Sequence, residues 1–218
     1  MKLKRAAIHA YGLMFIATVI TVGIVTSSQL ITDRIGLLLD RQASELLAAD
    51  LVLVSSNEIA DDYREQARRE GLRVSQSLSL RSAIFIDDSP RLIELKAVDP
   101  AYPLRGQLEI AREVTGNREI TSAIPERGEV WVDSKLAALV GSEIQLGDSS
   151  FAASRVLTFE PDRGGAIFNL APRVLMNLQD LASTGLVVPG SRVSYRMMFA
   201  GEAAAVSRFR SWLTTSIK

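Results

Sequence analysis

Hydrophobic residues are distributed along the chain in two ways: first one long uncharged run, then short runs separated by polar residues. Ala10 to Ile31 contains no aspartate, glutamate, lysine or arginine. As an α-helix that rises about 1.5 Å per residue, this run would span roughly the 30 Å hydrocarbon core of a bilayer. The pattern therefore predicts a single transmembrane helix near the start of the chain.

The charges that flank this run predict its orientation. Lysine or arginine occupies positions 2, 4 and 5, whereas the first charges after the run, Asp33 and Arg34, roughly cancel. Because basic flanks tend to stay in the cytoplasm, we expect a cytoplasmic N-terminus in the inner (plasma) membrane and export of everything after Ile31. The alternative is a signal peptide cleaved near residues 25–27, which also places the remaining chain outside the cytoplasm.

Helical spacing continues beyond the uncharged run and then gives way to strand patterns. Residues 32–49 predict a helical stalk, with Ile35, Leu38 and Leu46 on one face. Residues 50–55 predict a buried strand, and a helix capped by Asn57 and stopped by Gly71 follows it. Alternation at 72–80 predicts a strand, and 82–98 a hairpin. From Asp50 the predicted order is β-α-β-β-β.

The pattern of hydrophobic and polar residues changes after the two prolines at positions 100 and 103. Strands are expected at 106–112, 129–133 and 166–170, and as a pair about a turn at Gly147-Asp148-Ser149. Residues 134–140 predict a short helix, Pro172 opens a longer one that ends at Gly185, and 113–125 and 160–165 are expected to be loops. Residues 192–201 predict a strand and 203–217 a final helix.

The order of these elements indicates an α+β fold with one subdomain interrupted by another. The closing β-α has the same order of elements as the start of the opening β-α-β. We therefore predict a split subdomain formed by 50–104 and 187–218, with a mostly-β subdomain, 105–186, inserted into it. Residues 1–31 would be the cytoplasmic N-terminus and the transmembrane helix.

Composition excludes several classes of function. The chain has 25 basic and 25 acidic residues and no basic stripe, so we expect no binding to nucleic acid. It has no cysteine, which excludes disulfides, thiolate metal sites and cysteine nucleophiles. Its single histidine, His9, precedes the membrane run, so an exported Ser-His-Asp triad has no histidine.

The short motifs that suggest chemistry have simpler structural interpretations. Gly147-Asp148-Ser149 resembles the start of a GDSL-type esterase signature, but no histidine follows it, and all three are common turn residues. The adjacent carboxylates Asp87 and Asp88 lie where a hairpin turn is expected. Gly164-Gly165 lacks the Gly-Lys-Ser/Thr of a phosphate-binding loop, and Met197-Met198 is typical of a core. We predict no catalytic, cofactor-binding or metal-binding residue, and no cofactor.

Two segments carry a resemblance to a known family. KAVDPAYPLRG at 96–106 and VWVDSKLAALVG with the following IQLGD, within 130–148, are the most specific, and they occur after a membrane helix and stalk. The chain resembles the first transmembrane helix and periplasmic core domain of MacB/FtsX-like ABC transporter permeases, and it is most similar to the YbbP-like branch. The resemblance implies a porter-like subdomain interrupted by a sabre-like one.

The same resemblance implies a role and partners. It implies a non-catalytic subunit that couples membrane-helix movement, driven by a cytoplasmic ABC ATPase, to export or extraction of a hydrophobic or lipidated substrate. Implied partners are that ATPase, the remaining FtsX-like helices or a second permease copy, the lipid membrane and a periplasmic hydrolase. Because members of the family continue into further membrane helices, the chain is expected to be a fragment or one piece of a split permease.

Two other classes of function remain open from the residues alone. One is a membrane-anchored exported hydrolase built on carboxylates, with Asp87, Asp88 and Asp148 as its candidates. The other is an anchored ligand-binding domain, which would need an output module that the nine residues before the membrane run do not supply.

Overall fold

The computed structural model describes residues 48–86, 89–163 and 171–216, and these residues are organised around one mixed β-sheet. The predicted transmembrane helix and almost all of the predicted stalk lie outside them. Ala48 and Ala49, the last stalk positions, are not helical: Ala48 has φ +57° and both are buried in a turn before the first strand. No helix in the three described ranges is long and apolar enough to cross a bilayer.

Ten strands, two α-helices and three short 3₁₀ segments make up the described part of the chain. In chain order they are β1 (Leu51–Ser55), α1 (Asp61–Arg69), β2 (Arg73–Ile86), β3 (Ser89–Val98), β4 (Leu108–Ala111), β5 (Glu119–Thr121), β6 (Glu129–Asp133), the 3₁₀ segment Ser134–Leu139, β7 (Glu143–Leu146), β8 (Ser149–Phe159), the 3₁₀ segment Pro161–Arg163, β9 (Arg173–Asn177), the 3₁₀ segment Leu178–Thr184, β10 (Val193–Ala200) and α2 (Ala203–Ser216). The α+β class is therefore as predicted.

The order of the strands joins two distant parts of the sequence in one sheet. It runs β1-β10-β2-β3-β9-β6-β8-β4-β5, with β7 paired to β8. The first four strands come from the segments predicted to form the split subdomain, and the other six come from the predicted insert. Parallel pairing of β3 with β9 joins the two groups. The division into porter-like and sabre-like subdomains stays a prediction, because the described residues form one continuous sheet.

One face of the sheet, which we call the helix face, carries the largest hydrophobic core. Leu95 and Ala97 of β3 point to this face, together with Val130 of β6 and Val174 of β9, and Leu136 and Leu181 of the 3₁₀ segments pack on them. At the β1–β10 end, α1 and α2 cover the same face. The α2 face that the apolar spacing predicts is the buried one, since Val206, Phe209 and Leu213 are all buried.

The opposite face, which we call the ion face, is covered by loops. The turn after β3 and the segment after β8 fold onto it, and a second hydrophobic cluster there includes Tyr102, Trp131, Leu157 and Leu175. Lys96 points to this face because it lies between Leu95 and Ala97 in a strand whose side chains alternate.

Three predictions about the first elements need correction. Asn57 does not cap α1: its N–H donates to Ser55 Oγ, and the helix begins at Asp61 after Ala60, with no side-chain cap. Residues 72–80 and 82–86 form one 14-residue strand, so the order is β-α-β-β. The first strand, β1, is half-buried at the edge of the sheet and not fully buried.

Two predictions in the insert are also wrong. The segment predicted as a loop at 113–125 contains β5. The helix expected from Pro172 is instead the strand β9 followed by the 3₁₀ segment that ends at Gly185, where φ is +64°. All five residues of β9 are buried, so the strand shows no alternation and its leucine spacing resembles that of a helix. The strand predicted at 166–170 lies outside the described residues.

Candidate functional site

A cluster of charged side chains lies buried on the ion face, where the two groups of strands meet. We call it the ion cluster; its buried members are Lys96 of β3, Tyr102 of the following turn, Glu160 and Asp162 of the segment after β8 and Arg173 of β9. Arg196 of β10, whose side chain is 37% exposed, lies at its rim. Buried charges cost free energy unless they are paired. Charged side chains this deep in a small sheet domain are therefore the first candidates for a functional role.

Lys96 is the centre of the cluster. Its side chain is 1% exposed, and its Nζ lies 2.7 Å from Glu160 Oε1 and 2.6 Å from Asp162 Oδ1. The ammonium also donates to the Tyr102 hydroxyl at 2.9 Å and lies 4.2 Å from the centre of the Tyr102 ring. The three Lys96 donors are thus used by three different oxygens, which is the full capacity of an ammonium group.

Tyr102 completes the link between the two carboxylates. Its hydroxyl oxygen lies 2.5 Å from Asp162 Oδ1 and 3.0 Å from Glu160 Oε1, so its one proton can serve either of them. Burial, together with the negative charges of Glu160 and Asp162, raises the pKa of Tyr102 well above its ordinary value. Tyr102 therefore stays protonated and acts here as a hydrogen-bond donor and not as a base.

The carboxylate of Asp162 stays ionised although it is buried. Burial alone would raise its pKa, but the positive charge and hydrogen bond of Lys96, the Tyr102 hydroxyl and the charge of Arg173 outweigh it and lower the pKa to about 2. Arg196 adds a further contact at 3.2 Å from Asp162 Oδ2. A carboxylate held in the charged form by fixed partners stabilises structure and is a poor proton donor.

Arg173 ties the cluster to the β3–β9 junction. Its guanidinium lies 3.2 Å from Glu160 Oε2 and 3.7 Å from Glu94 Oε1, and Glu94 is directly opposite it in the parallel pair. Burial would lower the pKa of Arg173, but the negative charges of Glu160, Glu94 and Asp162 raise it above its ordinary value. The cluster thus spans β10, β3, β9 and the segment after β8.

One further carboxylate fixes neighbouring segments. Asp133, at the end of β6, accepts a hydrogen bond from the Lys135 N–H and pairs with Arg163. Burial would raise the pKa of Asp133, but these two partners lower it. This capping role agrees with the predicted helix start, although the helix is a 3₁₀ segment.

The segment KAVDPAYPLRG forms most of these contacts. Besides Lys96 and Tyr102, it supplies Asp99, which accepts from Ser75 Oγ at 2.7 Å and from the Gln76 N–H at 2.8 Å. It also supplies Arg105, whose two nitrogens donate to Asp50 at 2.9 and 2.7 Å. Hydrogen bonding to Asp50 raises the pKa of Arg105. The segment that carries the sequence resemblance is therefore a structural clasp.

The predicted candidates for hydrolysis do not form a site in the described residues. Asp148 lies in the exposed β7–β8 turn, where its N–H donates to Thr184 O at 2.8 Å. Asp87 and Asp88 lie outside the described residues, as does Gly164-Gly165. Met197 and Met198 are fully buried, as their core interpretation predicts. Within the described ranges no three acidic or histidine side chains are grouped as metal ligands would be.

Sequence reasoning missed the ion cluster. Its members lie up to 100 positions apart (Lys96 to Arg196), and no spacing relates them. The sequence offers a partial signal at Lys96, a charge among the apolar residues Leu95 and Ala97 of β3, but a strand with one solvated face gives the same pattern. The sequence pattern predicts a helix at Arg173 and a loop at Glu160, and it therefore does not place these charges on one face of a sheet.

Comparison with known proteins shows which proteins are similar in sequence to this chain. No known protein-family profile matches the chain. The chain is 33% identical over 210 residues to the uncharacterised ABC transporter permease YbbP of Escherichia coli (strain K12). This match covers 94% of the chain and 25% of YbbP, so the chain spans about a quarter of its relative's length.

Two solved structures show a distant similarity to the chain. A domain from Porphyromonas gingivalis, whose parent protein is assigned as a permease, gives a TM-score of 0.45 at 12% identity over 75% of this chain and 80% of that domain. The periplasmic region of MacB from Actinobacillus actinomycetemcomitans gives 0.42 at 12% identity over 75% and 82%. It is the match to YbbP along nearly the whole chain that identifies this protein as a homologue of an ABC transporter permease, as its sequence resemblance predicted.

Proposed function

We propose that the chain is the extracytoplasmic part of an ABC transporter permease and transmits movement of membrane helices to a substrate outside the cytoplasm. The observation that carries this proposal is the 33% identity to the permease YbbP over 94% of the chain. A non-catalytic role is part of the proposal. The cytoplasmic ATPase, the other membrane helices and the hydrophobic or lipidated substrate are proposed on the same ground.

The geometry supports a mechanical role. A domain that carries movement needs to respond as one body, and well-packed interiors transmit strain because they are hardly compressible. The ion cluster lies across the β3–β9 junction and links β10, β9 and the segment after β8 to Lys96. It thus opposes sliding of the two groups of strands past each other.

The proposal is tested by isolating the chain with its partners. The full chain is expressed in membranes together with the proteins encoded beside it, cross-linked, and purified by an affinity tag. We expect a P-loop ATPase and FtsX-like membrane helices to co-purify. Recovery of the chain alone, released from the membrane after cleavage near Ser27, would overturn the proposal.

A second experiment tests the transmission of movement in an intact permease that contains this chain. A proline inserted at Leu38 should interrupt the predicted stalk and uncouple the exported domain from the membrane helix, while the domain stays folded. An inserted alanine at the same position is the matched control for chain length. Full transport by the proline variant would show that movement is not carried by this segment.

A further inference from the structure

The β2–β3 hairpin extends past the rest of the sheet. On one side β10 pairs with β2 only as far as Leu80, and on the other β9 pairs with β3 only from Glu94 onward. Residues Arg81–Ile86 therefore pair with β3 alone. Their other side, which we call the open edge, has no strand paired with it in the described part of the chain. It presents backbone N–H and C=O groups in a row.

Beyond Arg81, the open edge lacks the usual protection of an edge strand. Proteins protect exposed edges with charged side chains, proline or β-bulges. Residues 83–86 read Ala-Ile-Phe-Ile, and the β2–β3 register is unbroken. Phe85 is 69% exposed, and Leu92, opposite Ala83, is 55% exposed. An edge of this kind favours pairing with another chain.

A groove with unpaired positive charge adjoins the open edge. It has a volume of about 790 Å³, and its lining includes Arg81 and Glu94 from the hairpin and Leu186 and Arg192 from the segment before β10. Among the described residues neither arginine has an ion-pair partner, whereas Glu94 lies 3.7 Å from Arg173. The groove therefore favours an occupant that carries carboxylates.

We propose that the open edge binds an extended segment of a partner protein by β-strand addition. The segment would alternate apolar and polar residues and carry carboxylates that reach Arg81 and Arg192. A lipid chain does not fit this edge, because it offers no backbone groups for the unpaired N–H and C=O groups, whereas another polypeptide offers both. The proposal goes beyond the function proposed above and does not depend on an ATPase.

The test uses the full chain in detergent micelles and a synthetic probe. The probe is a fluorescein-labelled peptide that alternates valine with threonine and ends in two aspartates. We expect saturable binding by fluorescence anisotropy, weakened at least about tenfold by Arg81→Glu. The matched control is Arg91→Glu, which makes the same charge change on the other strand of the hairpin, outside the groove lining, and should leave affinity within about twofold.

Two changes to the probe separate strand addition from other binding. N-methylation of alternate peptide bonds removes N–H donors without changing side chains, so we expect it to abolish binding. A benzophenone group on the probe should cross-link within residues 79–94 or 186–194. Absence of binding, equal binding of the N-methylated probe or of a version that ends in lysines, or cross-links confined to other residues would overturn the proposal.

The alternative occupant is a second copy of this chain, and it gives a different result. Concentration-dependent dimerisation that is lost in Phe85→Ser would assign the edge to a second copy and overturn the proposal of a partner protein. Phe85 is mostly exposed, so this variant should fold normally, which circular dichroism checks. Because the assay contains only this chain and the probe, a negative result does not contradict the proposed transport function. Likewise, failure of the transport experiments would not contradict strand addition at the open edge.

Discussion

From Leu95 to Val98, both faces of strand β3 are buried, but by different chemistry. On the helix face, Leu95 packs among aliphatic side chains from β2, β6 and β9. On the ion face, Lys96 is equally inaccessible, with each side chain about 1% exposed, and is surrounded by two carboxylates and a tyrosine. Two adjacent residues of one strand are thus buried by different interactions: Leu95 by hydrophobic packing and Lys96 by ion pairing.

This difference teaches what each face contributes. Hydrophobic packing is non-directional and tolerates some rearrangement. A buried ion pair is weak as a source of net stability, but removing one partner is costly, because a charge is left unpaired away from water. The helix face therefore supplies most of the stability, while the ion face fixes the alignment of β3, β9 and the segment after β8.

The largest effect is expected when the centre of the ion cluster is removed. Lys96→Met leaves Glu160 and Asp162 without their main counter-charge, and should lower the free energy of unfolding by about 3–5 kcal/mol. Urea unfolding followed by tryptophan fluorescence measures it. Lys135→Met is the matched control, since Lys135 is exposed. A loss of less than about 1 kcal/mol would mean that Lys96 is solvated.

A comparable but somewhat smaller effect is expected on the helix face. Leu95→Ala removes a fully buried side chain from the largest core, and should cost about 3 kcal/mol through lost burial and the cavity left behind. The same urea experiment measures it. Because packing is insensitive to pH, this loss should be the same at about pH 6 and about pH 3, unlike that of any variant in the ion cluster.

The acid sensitivity of the ion face is expected to come largely from Asp162. Its pKa is about 2 in the folded chain against an ordinary 3.8. Since the folded pKa is lowered, the stabilisation is complete above about pH 4 and is lost as pH falls towards 2, by on the order of 2 kcal/mol. Asp162→Asn should remove this part of the pH dependence. Identical urea midpoints against pH for variant and parent would contradict the assignment.

The smallest effect is expected for an exposed ion pair. Arg69 and Glu65 lie 3.5 Å apart on α1, with side chains 73% and 65% exposed. Arg69→Met should change the free energy of unfolding by no more than about 0.5 kcal/mol, because water screens the pair. A larger loss in the same unfolding assay would mean that burial does not separate the two kinds of ion pair in this protein.

Periodicity in the sequence predicts most of the fold. A strand that has one face apolar, such as β2, alternates visibly, and α2 shows its buried face in the spacing of Val206, Phe209 and Leu213. The method fails at β9, where both faces are buried and all five residues lose contact with water. Periodicity depends on a contrast between an apolar face and a polar face, so it gives no signal for a strand whose two faces are both apolar.

The ion cluster could not be predicted for a related reason. An alternating lysine such as Lys96 has the same sequence pattern on a solvated face as on a buried, charged one. Only the tertiary fold brings Glu160, 64 positions later, against it. The segment KAVDPAYPLRG nevertheless carried the family resemblance, and it supplies both Lys96 and Tyr102.

Hydrogen exchange of the full chain, read by mass spectrometry, tests most directly whether the two groups of strands act as one body. If the ion cluster and the β3–β9 junction join them, amides of β2, β3, β6 and β9 should open together, with one free energy that Lys96→Met lowers equally in all four strands. Separate opening of β4 to β8 at lower free energy, with β1, β2 and β10 still protected, would show two independent subdomains and contradict the account.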